Sequence, residues 1–136
     1  MKKYDNFCDA LKNLRLCRKY SAPYDVVTET GLVNLFSICF EQSWKVMKEL
    51  LLMHGYDEGK TGSPRMIIKL AYSAGMIEDE KGWIELLDKR RESAYSYNEE
   101  KHSYNEEVAA SIIEHTKKTY LALFESLQKE LEENWL

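Results

Sequence analysis

Helical periodicity is the sequence feature that most constrains what this chain can fold into. Apolar residues recur at intervals of three and four along most of the sequence, which is the spacing of one face of an α-helix. We place the two prolines and six glycines between these periodic segments, where such residues end helices or form turns. No stretch alternates between apolar and polar residues for long enough to predict a strand. The sequence therefore predicts an all-α protein.

The periodic segments define five predicted helices. Ser63 followed by Pro64 is a specific start signal, because serine caps a helix N-terminus and proline is favoured in the first turn. Gly55 and Gly75 follow two of the segments and favour C-terminal caps. The helices are expected at about residues 3–20, 28 or 30 to 54, 64–74, 79 onwards and 105–134. This order predicts an antiparallel up-and-down four-helix bundle with one extra short helix, in which the second helix is the most buried.

Composition predicts a single globular domain over residues 1–136, with 44% hydrophobic and 31% charged residues. The net charge of −4 does not favour a broad nucleic-acid surface. The apolar runs are too short to span a membrane, and no signal peptide opens the chain. Cys8, Cys17 and Cys39 lack any CxxC spacing, so we expect reduced cysteines and a cytoplasmic location.

The sequence contains none of the common catalytic or metal-binding motifs. It has no glycine-rich phosphate loop, no HExxH and no nucleophile elbow. His54, His102 and His115 do not have metal-ligand spacing. We therefore predict no metal site and no cofactor in this chain.

Arg90 stands where an apolar residue is expected on the fourth helix, in register with Trp83 and Leu87. A guanidinium on such a face needs an anionic or carbonyl partner, and Glu41 on the second helix is the leading candidate. The alternative is that Glu41 forms a solvated pair with Lys45, four residues later. Trp44 beside them is either a core residue or a stacking platform.

A short duplication follows the fourth helix, because SYNEE occurs at 96–100 and again at 103–107. This segment is either a solvated helix junction or a polar recognition surface next to two arginines. The candidate residues for binding a substrate or partner are Glu41, Trp44, Lys45, Arg90, Arg91, Tyr97, Tyr104 and Asn105, with His102 as a further member of the pocket.

Five motifs, in the right order along nearly the whole chain, carry a family resemblance. They are FEQSWK at 40–45, SPR at 63–65, MI at 76–77 followed by Trp83, HSYNEEVA at 102–109 and ENW at 133–135. On these motifs the chain resembles the nucleotidyltransferase substrate-binding protein family, small helical partners of minimal nucleotidyltransferases.

The resemblance implies a four-helix bundle, homodimerisation and a separate nucleotidyltransferase chain that carries Mg²⁺ and the nucleotide. The predicted function is therefore that of a non-catalytic substrate-binding or partner subunit. A plainly structural alternative is a dimeric helical adaptor with no ligand.

The same resemblance implies a second alternative, because the family belongs to the HEPN group, which includes ribonuclease toxins paired with nucleotidyltransferase antitoxins. These use an arginine and a nearby histidine, here Arg90 or Arg91 with His102. Tyr95 occupies the place expected for the histidine, and the duplication inserts seven residues. In a continuous helix Arg91 and His102 would be about 16 Å apart, too far to act on one phosphate. A loop in the duplicated segment would instead bring them together. We therefore expect the chain alone to cleave RNA poorly or not at all, and RNA is a partner only under this alternative. We also expect the chain alone to transfer no nucleotide, because no D-x-D motif on a strand supplies the clustered carboxylates that hold Mg²⁺.

Overall fold

The computed structural model of the protein describes residues 1–94, 97–98, 103–104 and 106–136. Its helices are α1 (Lys2–Leu14), α2 (Val26–Met53), α3 (Pro64–Ser73), α4 (Glu80–Ala94), α5 (Glu106–His115) and α6 (Leu121–Asn134). Two short strands, β1 (Tyr97–Asn98) and β2 (Ser103–Tyr104), pair in antiparallel register. No larger sheet occurs among the described residues, and the predicted all-α class is confirmed.

Side-chain caps set where the helices begin. The Asp25 carboxylate accepts a hydrogen bond of 2.7 Å from the backbone N–H of Thr28, so α2 begins earlier than the sequence predicted. Ser63 caps α3 as predicted, with Pro64 in its first turn. Gly55 and Gly75 have φ angles of +88° and +81°, a region that glycine enters without strain, and they follow α2 and α3.

Three local features differ from the predicted helices. The first helix ends at Leu14 and continues as a tighter 3₁₀ turn, Arg15–Lys19. A wider π turn, Thr116–Tyr120, joins α5 to α6, so these two helices are continuous. When α5 and α6 are counted as one helix, the described residues form five α-helices. Gly31 and Gly82 lie inside α2 and α4, which corrects the expectation that the glycines separate helices.

Helix α2 is central to the packing. It contacts α1, α3, α4 and α5, and α1 also contacts α6. It contributes more buried side chains than any other described helix, as its wide apolar face predicted. The antiparallel up-and-down order of four helices stays a prediction. No helix in the described ranges is long and apolar enough to cross a membrane.

An aromatic cluster fills the centre of the core. Phe124 of α6 lies 5.5 Å from Trp83 of α4, measured between ring centroids, and also packs near Phe7 and Phe36. Tyr120 packs against Phe36, and its hydroxyl donates a 2.7 Å hydrogen bond to the Glu85 carboxylate. Burial, together with this hydrogen bond, raises the pKa of the Tyr120 hydroxyl. The cluster therefore ties α1, α2, α4 and α6 to one another.

All three cysteines are free, as predicted. Cys17 and Cys39 are buried, and burial raises the pKa of both thiols. Cys8 is half-buried and accepts a hydrogen bond from the Gln128 amide.

The cap at Asp25 leads to a pH prediction. Its hydrogen bonds with Thr28 lower the pKa of the Asp25 carboxyl below the ordinary value of 3.8. A carboxyl whose pKa is lower in the folded state than in the unfolded state stabilises the fold at pH values above its unfolded-state pKa. This stabilisation is lost as the pH falls through the folded-state pKa. We expect Asp25→Asn, which keeps the cap but cannot titrate, to lose less stability than wild type as the pH falls below that ordinary value. Urea unfolding at several pH values would measure this. Parallel pH curves for the two proteins would contradict the assignment.

Candidate functional site

The candidate site lies where α2 packs against α4. The Arg90 Nε atom is 3.4 Å from the Glu41 Oε1 atom, and the two side chains are 30% and 34% exposed. The other carboxylate oxygen, Oε2, accepts a 3.1 Å hydrogen bond from the indole Nε1–H of Trp44. Glu41 thus uses one oxygen within its own helix and the other across the helix pair. The predicted contact between Arg90 and Glu41 is confirmed, and both side chains are half-buried.

The contact between Arg90 and Glu41 is a charge attraction more than a directed hydrogen bond. The Nε atom of Arg90 is buried, but within the described part of the chain its N–H does not point at an acceptor with hydrogen-bond geometry. Because the pair is about one-third exposed, solvent screens it and its contribution is modest. The remaining guanidinium nitrogens are the groups that can bind an external anion or carbonyl.

Two serines extend the same helix contact by about one turn, and sequence reasoning missed them. The hydroxyls of Ser37 on α2 and Ser93 on α4 lie 3.0 Å apart. Ser93 also donates a 2.6 Å hydrogen bond to the carbonyl of Arg90. The available signal was spacing, because Ser37 precedes Glu41 by four residues and Ser93 follows Arg90 by three.

The other residues predicted for the site do not take part in the contact between Glu41 and Arg90. Lys45 and Arg91 are exposed, and no ion pair within 4.0 Å joins Lys45 to Glu41. The solvated Glu41–Lys45 pair is therefore not the contact that forms. The candidate residues Tyr97 and Tyr104 face each other as backbone partners in the β1–β2 pair. His102 and Asn105 lie outside the described residues.

The strands β1 and β2 each lie within one copy of the duplicated SYNEE motif. The two strands are antiparallel, with Asn98 opposite Ser103, so the chain runs in opposite directions at residues 97–98 and 103–104. A continuous helix through this segment, the case in which an arginine and a histidine would be about 16 Å apart, does not form.

The Glu41–Arg90 pair gives a quantitative prediction. In a double-mutant cycle with Glu41→Gln and Arg90→Gln, we expect a coupling free energy of about 0.5–1 kcal/mol, because the pair is partly exposed. Urea unfolding of the four proteins measures it. The coupling should shrink at about 1 M salt, since exposed charges are screened. A coupling of zero at low salt would mean that the contact does not stabilise the fold.

The chain is similar to known proteins over nearly its whole length. A family model described as "Nucleotidyltransferase substrate binding protein like" matches residues 2–133. No curated protein sequence matches the chain significantly. Among solved structures, a crystal structure of a protein from Thermus thermophilus aligns with a TM-score of 0.72 at 22% identity, covering 93% of this chain and 99% of that chain. At this identity the likeness shows a shared fold. Because the family model spans nearly the whole sequence, the chain belongs to the nucleotidyltransferase substrate binding protein-like family.

Proposed function

We propose that this chain is a non-catalytic substrate-binding and partner subunit of a separately encoded minimal nucleotidyltransferase. The observation that carries the proposal is the family match over residues 2–133. Nucleotidyl transfer needs clustered carboxylates that hold Mg²⁺ against a triphosphate. The proposal assigns Mg²⁺, the nucleotide and those carboxylates to the partner subunit.

The Glu41, Trp44 and Arg90 cluster is the proposed contact surface for the partner. Its three side chains are half-buried, so each is held in place while still presenting atoms at the surface. Arginine and tryptophan are among the residue types that contribute most of the binding energy in protein interfaces. Lys45 and Arg91 lie beside the cluster along the chain and are exposed, so they supply positive charge that attracts an acidic partner segment.

The proposal includes a homodimer in the cytoplasm. Helix α2 exposes Val27 and Ile38, which are 84% and 42% exposed. They are eleven residues apart, about three helical turns, and therefore share one face of the helix. A second copy packed against this face would bury both side chains. Light scattering at micromolar concentration should give about twice the monomer mass of 16.0 kDa, and a mass of one chain would contradict the dimer.

Co-expression tests the partner role directly. The chain carries a tag, a nucleotidyltransferase encoded beside it is left untagged, and the complex is captured and weighed by native mass spectrometry. We expect stoichiometric capture by wild type and at least tenfold weaker binding for Arg90→Gln. Arg65→Gln is the matched control, because Arg65 is an exposed arginine on α3. No capture by wild type would overturn the proposed function. Equal capture by wild type, Arg90→Gln and Arg65→Gln would show that the partner contacts a different surface.

The alternative function is an HEPN-type ribonuclease, the toxin of a toxin–antitoxin pair. The observation that favours it is the reversal of the chain between β1 and β2, in the segment that follows Arg90 and Arg91. Metal-free RNA cleavage needs a histidine near the phosphate and a cation that stabilises the developing charge. Purified protein is incubated with total RNA in EDTA. Cleavage that disappears in Arg91→Ala and in His102→Ala, but persists in Arg65→Ala, would establish the ribonuclease.

A further inference from the structure

The first half of α2 presents an uncharged face to solvent. From Val26 to Phe40 the helix contains one charged residue, Glu29, and that residue is 5% exposed. The exposed positions are Val26, Val27, Thr30, Gly31, Asn34 and Ile38. Since 31% of the residues in the chain are charged, a solvent-facing helix surface of this length would normally carry several charges. Depletion of charged residues is typical of the core of a protein interface, so this face has the composition of a contact surface.

Gly31 lies near the middle of this face. Glycine destabilises a helix interior more than any residue except proline. Among the described residues, a Cβ atom at Gly31 would meet no atom within 4 Å beyond its own helical turn, so the packing of the chain against itself does not require glycine there. The missing side chain does allow the backbone of a second helix to approach α2 closely. Gly31 therefore suits a contact with another molecule.

The exposed residues have the spacing of a seam between two helices. Val27, Gly31, Asn34 and Ile38 follow one another at intervals of four, three and four residues. This alternation aligns the contact positions of two helices that pack along their length. The Ile38 side chain, which is 42% exposed, has the size and shape to fill the space that a facing glycine leaves. The face can therefore pack against a helix of the same sequence.

Opposite charges stand at the two ends of the uncharged face. Asp25, the exposed N-cap of α2, precedes it, and the exposed Lys45 follows it on the same side of the helix as Val27. Lys45 forms no ion pair within 4.0 Å with the described residues. In an antiparallel pair of α2 helices, Asp25 of each copy lies near Lys45 of the other, whereas a parallel pair places like charges side by side. The face is therefore complementary to a second, antiparallel copy of itself.

We propose that two copies of this chain associate through this face with their α2 helices antiparallel. Ile38 of each copy packs over Gly31 of the other, so the twofold axis passes midway between these two positions. Glu41 is then about 10 Å from the axis along α2, and the twofold axis keeps the Glu41–Arg90 contacts of both copies on the same side of the pair. Both copies thus contribute to one contact surface for the nucleotidyltransferase. The inference rests on the dimer in the proposed function and adds its contact face, its direction and its centre.

Light scattering of the full-length protein tests the contact face. Gly31→Arg should weaken association roughly tenfold or more and shift the mass from two chains to one, because the arginine occupies the point of closest approach. The single chain has open space at this position, so the fold should be retained, and thermal melts check this. The matched control is Ala122→Arg, which adds the same side chain at a small exposed residue of α6 and should stay at two chains. A Gly31→Arg protein that remains at two chains would refute this contact face.

Disulfide cross-linking tests the direction of the two helices. Positions 31 and 38 are about 10 Å apart on one helix, too far for a disulfide within a chain. The double variant Gly31→Cys/Ile38→Cys should therefore form interchain disulfides under mild oxidation, while each single variant and wild type should form few. Cross-linking of Gly31→Cys alone at the rate of the double variant would indicate parallel helices, and no cross-linking in any variant would also overturn the inference. A wild-type mass of one chain would refute the dimer of the proposed function as well, whereas capture of a nucleotidyltransferase is a separate measurement.

Discussion

Replacing Phe124 by alanine is expected to lower the free energy of unfolding by about 3–5 kcal/mol. Phe124 is fully buried, and its ring lies between Phe7 of α1, Phe36 of α2 and Trp83 of α4. Alanine removes the ring from a close-packed site and leaves a cavity that three other helices line. Urea unfolding followed by circular dichroism measures the change.

Tyr72→Ala is the matched control for this large effect. It also removes an aromatic ring from a helix, but Tyr72 is 47% exposed. We expect a loss of about 1 kcal/mol or less, because little packed surface is lost. Similar losses for the two variants would show that the core does not centre on Phe124.

The second large effect is expected at the last turn of the chain, where Trp135→Ala should cost about 3 kcal/mol. Trp135 is 8% exposed, and its ring centroid lies 4.7 Å from that of His54. The His54 Nε2–H donates a 2.9 Å hydrogen bond to the Trp135 carbonyl, and Tyr56 packs beside the indole. These contacts hold the C-terminal end of α6 against the C-terminal end of α2. Thermal and urea unfolding measure the loss.

Two further variants separate packing from hydrogen bonding at this position. Trp135→Phe keeps an aromatic ring but removes the indole N–H that bonds Glu130, and we expect a loss of about 1 kcal/mol. Trp44→Ala removes a half-buried indole and should cost less than Trp135→Ala. Equal losses for Trp44→Ala and Trp135→Ala would contradict the proposed attachment of the C-terminal turn.

Local sequence determined the helices and one contact of the candidate site. Apolar periodicity reports which face of a helix is buried, and the cap at Ser63 depends on residues within one turn. Arg90 was recognisable because a charge on an apolar face requires a partner, and Glu41 is that partner. The duplicated SYNEE motif identified an unusual segment between α4 and α5.

Tertiary structure alone decided the features that depend on residues far apart in the chain. An open surface pocket combines residues near Glu78 with residues near Glu133, and periodicity does not report which helix ends meet. The attachment of Trp135 to His54 likewise joins the ends of α6 and α2. The antiparallel β1–β2 pair decides against a continuous helix, one of the two cases that the sequence left open for the duplicated segment. In each case the deciding free energy comes from long-range packing and pairing, which a local sequence pattern does not contain.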